Sequence, residues 1–302
     1  MPNPREIHRH MRSVKNIQQI TKAMKMVAAA RLRRAQEKAA SSRPFADKIE
    51  ALLKTSLSDS TLAKLVSISD HPLLEARPVK KTGFVVIAAD KGLAGPINSN
   101  VLKHTVAEMA DCGEVEVLPV GRKAKEFFQH RGYNIGKSFF GLSDKPNFDY
   151  AEQIGNAAIQ AFVSGEVDEV KLIFTHFKSA LSYTPETVQL LPVLPPEGTG
   201  AKIGEAFPDD GPEEIGSVLF EPTANDLLGA LLPAYVKNVI YAALMQSAAS
   251  ELGARMTAMS SATDNASDLL KSLELSYNKA RQAGITREIN EIVGGAEALS
   301  QA

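Results

Sequence analysis

The residues that could do chemistry are few, and the most promising form a glycine-containing turn, Asp90–Gly95, with the sequence Asp-Lys-Gly-Leu-Ala-Gly. The turn follows a predicted strand and precedes a predicted helix, a position at which α/β folds often bind ligands. In a phosphate-binding P-loop the lysine follows the second glycine and precedes a hydroxyl residue. Here Lys91 precedes the first glycine. A plain structural turn is therefore the favoured interpretation, and a nucleotide site is the alternative.

The other reactive residue types form no recognisable catalytic or metal site. The six histidines include no His-Glu-x-x-His helix and no pair with metal-ligand spacing. No serine lies in a Gly-x-Ser-x-Gly elbow, and no carboxylate pair is set apart by its spacing for acid and base catalysis. Cys112 is the only cysteine, which excludes an internal disulfide and a cysteine-based zinc site. The sequence thus suggests no catalytic centre, no cofactor and no metal.

Positive charge is concentrated at the N-terminus. Residues 1–40 contain ten lysines and arginines against two glutamates, although the net charge of the whole chain is only −1. These cations could bind nucleic-acid phosphates, but no aromatic side chain for base stacking lies among them. They could instead face an acidic protein surface, where complementary charge favours association, or simply face solvent. The pattern alone favours the acidic partner only mildly.

The N-terminal segment is predicted to be one long helix. Asn3 can cap it, Pro4 suits the first helical position, and Glu6 completes a capping box. The helix would run to about Leu57, with an interruption or a bend near Pro44. Apolar side chains recur along it in steps of three and four, at Ile7, Met11, Val14, Ile17, Ile20, Met24 and Val27. So narrow a stripe predicts a partner helix.

The C-terminal segment carries a longer heptad pattern and supplies that partner. Its positions alternate in spacings of four and three, at Met245, Ala249, Leu252, Met256, Met259, Thr263, Ala266, Leu270, Leu273, Tyr277 and Ala280. Beyond Ala280 the apolar line shifts by one position and continues through Ile285, Ile289 and Ile292, as at a stutter. Two such helices from opposite ends of the chain predict an antiparallel coiled coil.

Between the helices the pattern changes to that of an α/β domain. The chain's 44% of hydrophobic residues suffices for a globular core. Apolar runs predict strands at Phe84–Ala89, Val115–Val120, Val170–Thr175 and Val188–Val193, with a weaker candidate at Val218–Phe220. Helices are predicted at Asn98–Ala110, Arg122–His130 and Tyr150–Ser164. The alternation indicates a Rossmann-like, mainly parallel, doubly wound sheet. Residues 195–212 are predicted to be an exposed loop. The predicted domains are helix 1–57, α/β domain 58–222 and helix 223–302.

Several long motifs, in order along the chain, resemble the γ-subunit family of F-type ATP synthases. The N-terminal signature lies in Lys15–Ile17 and Ile20–Ala29, and the C-terminal signature in Ile285–Ala298. Three further segments are also similar to the corresponding segments of family members, namely Arg255–Met259, Ala262–Ala266 and Tyr277–Gln282. One stretch departs: Ala89–Gly95 stands where the family commonly has Ser-Asp-Arg-Gly-Leu-Cys-Gly. That difference concerns the local geometry of the turn and leaves the implied function unchanged.

The resemblance implies a rotor shaft of the H⁺-transporting ATP synthase. The two terminal helices would form a coiled coil inside the α3β3 ring, and the α/β domain would be a foot that contacts the ε subunit and the c-subunit ring. Such a chain would be non-catalytic on its own, without cofactor or nucleic-acid partner, because the nucleotide chemistry belongs to β. No targeting peptide is recognisable, so a bacterial protein is expected, peripheral on the cytoplasmic face of the cell membrane and touching it only through the c ring.

The resemblance also implies a set of contacts with the β subunit. Met24 and Lys25 match the position that faces an acidic region of β, and nearby arginines would add attraction there. Arg281 and Gln282 match residues that hydrogen-bond a β loop, and Arg255 matches another contact position. The implied β-contact residues are Met24, Lys25, Arg31, Arg33, Arg34, Arg255, Arg281 and Gln282. A coiled-coil nucleic-acid binder and a nucleotide-binding α/β protein are the alternatives from other functional classes.

Overall fold

The computed structural model describes residues 4–58, 71–141, 146–193 and 224–300. Along the chain, one long helix precedes a four-stranded α/β region and a second long helix follows it. In chain order the elements are α1 Pro4–Ser58, β1 Lys81–Ile87, α2 Ile97–Ala110, β2 Glu114–Val120, α3 Arg122–His130, α4 Phe148–Val163, β3 Glu169–Phe177, β4 Tyr183–Leu191 and α5 Ala224–Ser300.

The helices and strands predicted from the sequence agree closely with those of the structure. Strands β1 to β3 overlap their predicted ranges, and α3 has the predicted bounds. β4 begins five residues before the predicted Val188, at Tyr183. The expected interruption near Pro44 does not occur, since α1 is one continuous helix from Pro4 to Ser58. The weak candidate at Val218–Phe220 and the predicted loop at 195–212 lie outside the described residues.

The sheet has the strand order β2-β1-β3-β4. β1 pairs in parallel with both β2 and β3, whereas β4 pairs with β3 in the antiparallel direction. The prediction of a mainly parallel sheet is confirmed. β4 is antiparallel because only a short turn separates it from β3, and a parallel pairing would need a crossover connection.

Both faces of the sheet are covered, and β1 shows how. Val85 and Ile87 point into a cluster that includes Ile154 of α4 and Ile240 of α5. Phe84 and Val86 point the other way, into a cluster that includes residues of α2 and α3. Successive strand residues face opposite sides. The central residues of a strand buried on both sides have to be mostly apolar, which is why the run from Phe84 to Ile87 is evident in the sequence.

The chain divides into two compact units. We call Met1–Ala28 with Met256–Ala302 the helix-pair unit, and Ala29–Arg255 the sheet unit. Within Leu228–Ala296 lies a window that is long and apolar enough to span a membrane, with a mean hydropathy of 1.4. Because 56% of that window is buried inside the protein, as in a core helix, it is weak evidence for a membrane span.

Asp168 fastens the start of β1 in the sheet unit. Its Oδ2 accepts hydrogen bonds from the backbone N–H of Lys81, at 3.0 Å, and of Lys80, at 2.9 Å. These bonds, to Lys81 first, and the nearby positive charges of Lys80 and Arg77 hold the pKa of the Asp168 carboxyl below its ordinary value. The carboxyl of Asp168 therefore ionises more readily in the folded state than in the unfolded state.

We expect Asp168→Asn to destabilise the protein in a pH-dependent manner. A carboxyl with a lowered folded pKa contributes stability above its unfolded pKa of about 3.9, and loses that contribution as the pH falls through the folded value. The difference in free energy of unfolding between wild type and variant should therefore be largest near neutral pH and should shrink below about pH 4. Denaturant titrations across pH measure it, with the exposed Glu166→Gln as control. A constant difference would contradict this account.

Candidate functional site

The Asp90–Gly95 turn is held by contacts within the protein. The Asp90 carboxylate accepts hydrogen bonds from the backbone N–H of Arg122, at 3.1 Å, and of Gly141, at 2.9 Å. Arg255 Nη2 donates to the carbonyl of Gly92 at 3.1 Å. The cavity at the end of β1 measures only about 20 Å³, space for about one water molecule. This geometry supports a structural turn.

Titratable side chains do not assemble into a metal or catalytic cluster in the described ranges. No group of three or more His, Cys, Asp or Glu residues there could hold a metal ion. The sheet unit instead contains small histidine contacts. His176 Nδ1 lies 3.2 Å from Glu186 Oε2, and His104 Nε2 lies 2.8 Å from Thr187 Oγ1. Glu108 Oε1 lies 4.0 Å from the same His104 nitrogen, which is too far for a hydrogen bond, so the three side chains do not form a connected catalytic arrangement.

The next candidate for a functional surface is the pair of helices α1 and α5 in the helix-pair unit. His8 contacts Tyr277, with ring centroids 6.0 Å apart, and Lys25 Nζ donates to Ser260 Oγ at 2.9 Å. Residue numbers rise along α1 as they fall along α5, so the two helices are antiparallel. This confirms the antiparallel coiled coil predicted from the sequence.

The buried side of α5 is the one that the heptad pattern predicts. Met259 and Ala266 are buried, with exposed fractions of 5% and 7%. Thr263, Leu270 and Tyr277 are half-buried at the intervening positions. The prediction for this part of α5 is correct because its heptad spacing is regular and its apolar residues have no competing line nearby.

The predicted stripe on α1 is wrong in its middle. Ile17, Ile20 and Val27 are exposed by 51%, 58% and 52%. Thr21 and Ala28 are buried instead, with 8% and 2% exposure. At these positions the inward side of α1 lies one residue further along the helix than the pattern predicts. Elsewhere the stripe is correct, with Ile7 buried and Met11, Val14 and Met24 half-buried.

Hydrogen bonds between the helices involve the residues that face inward here. Gln18 Nε2 donates to Ser267 Oγ at 2.6 Å, and the hydroxyl oxygens of Thr21 and Thr263 lie 2.8 Å apart. Together with Lys25–Ser260 these are successive contacts along the pair, and we call the three the polar cross-helix contacts. Polar residues at inward positions are a known means of fixing the register of a coiled coil.

The last part of α5 extends past the start of α1. Tyr277 lies beside His8, in the second turn of α1, so α5 residues beyond about Ala280 have no α1 turn beside them in the described part of the chain. The shifted apolar line there is exposed, by 44% at Ile285, 53% at Ile289 and 71% at Ile292. An exposed apolar line on this end of α5 is the kind of surface that a partner chain can cover.

Comparison with known proteins decides the family. The ATP synthase family model matches residues 3–299. The ATP synthase gamma chain of Heliobacterium modesticaldum is 46% identical over 299 residues, covering 99% of this chain and 100% of that relative. The chain belongs to the ATP synthase gamma-chain family. The gamma chain of Desulforamulus reducens agrees, with 45% identity over 99% of this chain and 100% of the relative.

Solved structures support the same family fold. The central stalk of the Tetrahymena thermophila mitochondrial ATP synthase matches with a TM-score of 0.57 and 25% identity, over 80% of this chain and 99% of that one. A Euglena gracilis mitochondrial ATP synthase chain matches with a TM-score of 0.66 over 98% of this chain and 94% of that one. At 18% identity this second match shows the fold alone. The nucleic-acid and nucleotide-binding alternatives are not favoured.

The β-contact residues implied by the family resemblance lie in different settings. In the helix-pair unit Met24 is half-buried, Lys25 bonds to Ser260, and Arg281 and Gln282 are exposed. In the sheet unit Arg31 and Arg34 are exposed, and Arg33 forms an ion pair with Glu37 at 3.0 Å. Most of these side chains are therefore placed where a partner chain could reach them.

Arg255 differs from the others. Its side chain is only 11% exposed and pairs with Glu251, itself 7% exposed, at 2.6 Å. It also donates to Gly92, so it joins α5 to the Asp90–Gly95 turn. A contact between Arg255 and a partner would require these bonds to break. The contact of Arg255 with the β subunit therefore stays a prediction. Within the chain, Arg255 links α5 to the Asp90–Gly95 turn.

Sequence reasoning missed the polar cross-helix contacts and the Glu251–Arg255 pair. A signal existed for the first. Thr263 lies in the α5 heptad pattern, and a polar residue at an inward position needs a polar partner on the facing helix. The second had only the i,i+4 spacing, which is common on solvent-exposed helix faces and does not reveal burial.

Proposed function

We propose that this chain is the central-stalk rotor subunit of an F-type ATP synthase, coupling proton flow through the membrane sector to ATP synthesis and hydrolysis in the β subunits. The observation that carries the proposal is similarity to bacterial ATP synthase gamma chains over nearly the full length of both chains. The antiparallel helix pair and the exposed apolar positions on both helices support it.

The helix pair has the physical properties that such a rotor needs. Two helices have no threefold symmetry, so three identical β subunits around them would meet three different surfaces. The α1 surface includes Ile17 and Ile20, and the α5 surface includes Leu275, exposed by 59%. Different contacts stabilise different conformations of otherwise identical subunits. Rotation of the pair would then change the nucleotide affinity of each β site in turn.

The partners follow from this assignment. We infer that residues 1–57 and 223–302 are the coiled-coil helices within an α3β3 ring, and that residues 58–222 are the foot toward the ε subunit and the c ring. The chain would hold no catalytic site of its own. It would lie on the cytoplasmic face of the bacterial membrane, as a peripheral protein that reaches the membrane only through the c ring.

Contacts with the ring should be numerous and individually weak, because the rotor has to turn. Exposed apolar side chains such as Ile17 and Ile289 offer non-directional contact. The exposed arginines Arg31 and Arg34 offer attraction to acidic surfaces that solvent partly screens. Neither kind of contact fixes one angle of rotation.

Reconstitution tests the proposal. The purified chain is mixed with α and β subunits, complex formation is measured by size, and ATP hydrolysis is compared with that of each component alone. We expect hydrolysis in an α3β3γ complex and none from this chain by itself. Binding of nucleotide to the isolated chain, without complex formation, would favour the α/β nucleotide-binding alternative. Nucleic-acid affinity that falls steeply with salt would favour the other alternative.

Met24→Lys should impair coupling. Met24 is half-buried next to Lys25, which already donates to Ser260. A second cation would be free to pair with an acidic group of the ring, and a direct ion pair resists rotation more than an apolar contact does. The ratio of ATP-driven proton pumping to ATP hydrolysis should fall severalfold, while Met24→Leu, which keeps an apolar side chain of similar volume, should leave it unchanged. Equal ratios in the two variants would show that Met24 is not at a ring contact.

A further inference from the structure

Two adjacent lines of residues on α1 compete for the inward position. One line is apolar and contains Ile17, Ile20 and Val27, and the other contains Gln18, Thr21 and Ala28. The two differ by one residue, which is a rotation of about 100° around the helix axis. Burial of apolar surface favours the first line. The structure buries the second, leaving Ile17, Ile20 and Val27 more than half exposed.

The polar cross-helix contacts lie along the line that the structure turns toward α5. On α5, Ser267 Oγ donates to the carbonyl of Thr263 at 3.1 Å, and Thr263 Oγ1 donates to that of Met259 at 2.7 Å. The Ser267 proton is thus used within α5, and its oxygen accepts from Gln18 Nε2. The Thr263 hydroxyl has two acceptors, the Met259 carbonyl and Thr21 Oγ1, while the Thr21 hydroxyl donates to the carbonyl of Gln18 at 3.0 Å.

A rotation of α1 by one position would break all three contacts together. Gln18, Thr21 and Lys25 would turn away from Ser267, Thr263 and Ser260, and isoleucine side chains would face hydroxyl oxygens that accept nothing from them. Partly buried acceptors that lose their donors are unfavourable. The rotated packing therefore buries Ile17 and Ile20 but loses the three contacts and turns Ile7, now only 7% exposed, away from the interior.

We propose that Gln18, Thr21 and Lys25 are positioning residues that fix the rotational orientation of α1 against α5 and so keep the Ile17, Ile20 and Val27 line on the outside. The orientation is a property of the chain itself. Its consequence for coupling rests on the proposed function, because a ring partner can meet only the line that is turned outward.

A cysteine reporter on the outward line tests the orientation in the full-length chain. Cys112 is first replaced by serine, and Ile20→Cys then supplies a single exposed thiol. The test variant adds Gln18→Ala, Thr21→Ala and Lys25→Ala. The control adds Gln19→Ala, Lys22→Ala and Met26→Ala, three truncations at exposed α1 positions that also remove one lysine. Thiol reactivity follows exposure, so the maleimide labelling rate should fall at least about fivefold in the test variant and stay within about twofold in the control.

A second reporter distinguishes rotation from separation of the helices. His8 and Tyr277 are in contact, so a chain with His8→Cys and Tyr277→Cys reports the native pairing through a crosslink by a short bismaleimide. We expect the crosslink in the control and much less of it in the test variant. Unchanged labelling with an unchanged crosslink would mean that the orientation does not need the polar contacts. Unchanged labelling with a lost crosslink would mean that they hold the helices together without orienting them. Either result overturns the proposal.

A conservative pair of single variants covers the case in which the triple variant does not fold. Thr21→Ser keeps the hydroxyl that faces Thr263, and Thr21→Ala removes it. Slower labelling of the Ile20→Cys reporter thiol is expected only in the alanine variant, and equal rates in the two would contradict the proposal. In the assembled complex the alanine variant should also pump fewer protons per ATP hydrolysed than the serine variant. If the wild-type chain formed no complex, the rotor function would fail while the labelling result would stand.

Discussion

Glu251→Ala is expected to lower the free energy of unfolding of the sheet unit by about 3 kcal/mol or more, the usual cost of breaking a buried ion pair. The carboxylate of Glu251 and the guanidinium of Arg255 are 2.6 Å apart, and their side chains are only 7% and 11% exposed. Removing the carboxylate would leave the positive charge of Arg255 buried beside apolar α5 residues such as Ala254. Denaturant unfolding followed by circular dichroism gives the value.

A double variant is the matched control for that prediction. Glu251→Leu with Arg255→Met removes both charges and keeps much of the apolar volume, so it should be clearly more stable than Glu251→Ala. It should still lose the hydrogen bond to Gly92, which closes the Asp90–Gly95 turn. The two alanine variants are also combined in one chain. If the double alanine variant lost as much stability as the sum of the losses in Glu251→Ala and Arg255→Ala, the two side chains would not be coupled and the account would be wrong.

The α/β region could be predicted from the sequence because burial on both faces of the sheet leaves a clear run of apolar residues. β1 is covered on both sides, so Phe84, Val85 and Val86 all have to be apolar, and the run is unmistakable. The direction of β4 could not be read from its residues in the same way. An antiparallel edge strand and a parallel one can share a composition, and the length of the connection decides between them.

The helix pair was predictable in topology but only partly in orientation. The α5 heptad positions Met259 and Ala266 are correct because no second apolar line competes with them. On α1, Ile20 and Thr21 are adjacent, and the pattern of one helix alone favours Ile20 for the interior. The structure buries Thr21, which contacts Thr263, a residue 242 positions away. The inward heptad position of Thr263 signals that a polar partner is needed, but the periodicity of α5 does not identify that partner.

Gly121→Ala is expected to destabilise the sheet unit by about 3 kcal/mol or more, because it combines backbone strain with a steric clash. Gly121 lies between β2 and α3 with φ 99° and ψ 148°, a region that is essentially restricted to glycine. A Cβ there would lie 2.0 Å from the carbonyl oxygen of Ala88, so the backbone would have to move. That movement would also disturb the hydrogen bond from the Gly121 N–H to the Phe139 carbonyl, now 2.8 Å long.

Gly132→Ala separates the two causes. Gly132 also has a positive φ, of 72°, but a Cβ there would meet no heavy atom within 4 Å. It should therefore show only the conformational cost of about 1 kcal/mol. Thermal and denaturant unfolding of both variants measure the difference. A similar loss at the two positions would mean that the backbone near Ala88 yields easily. A clearly larger loss at Gly121 would show that close approach of two backbones, in addition to the positive φ, requires glycine at this junction.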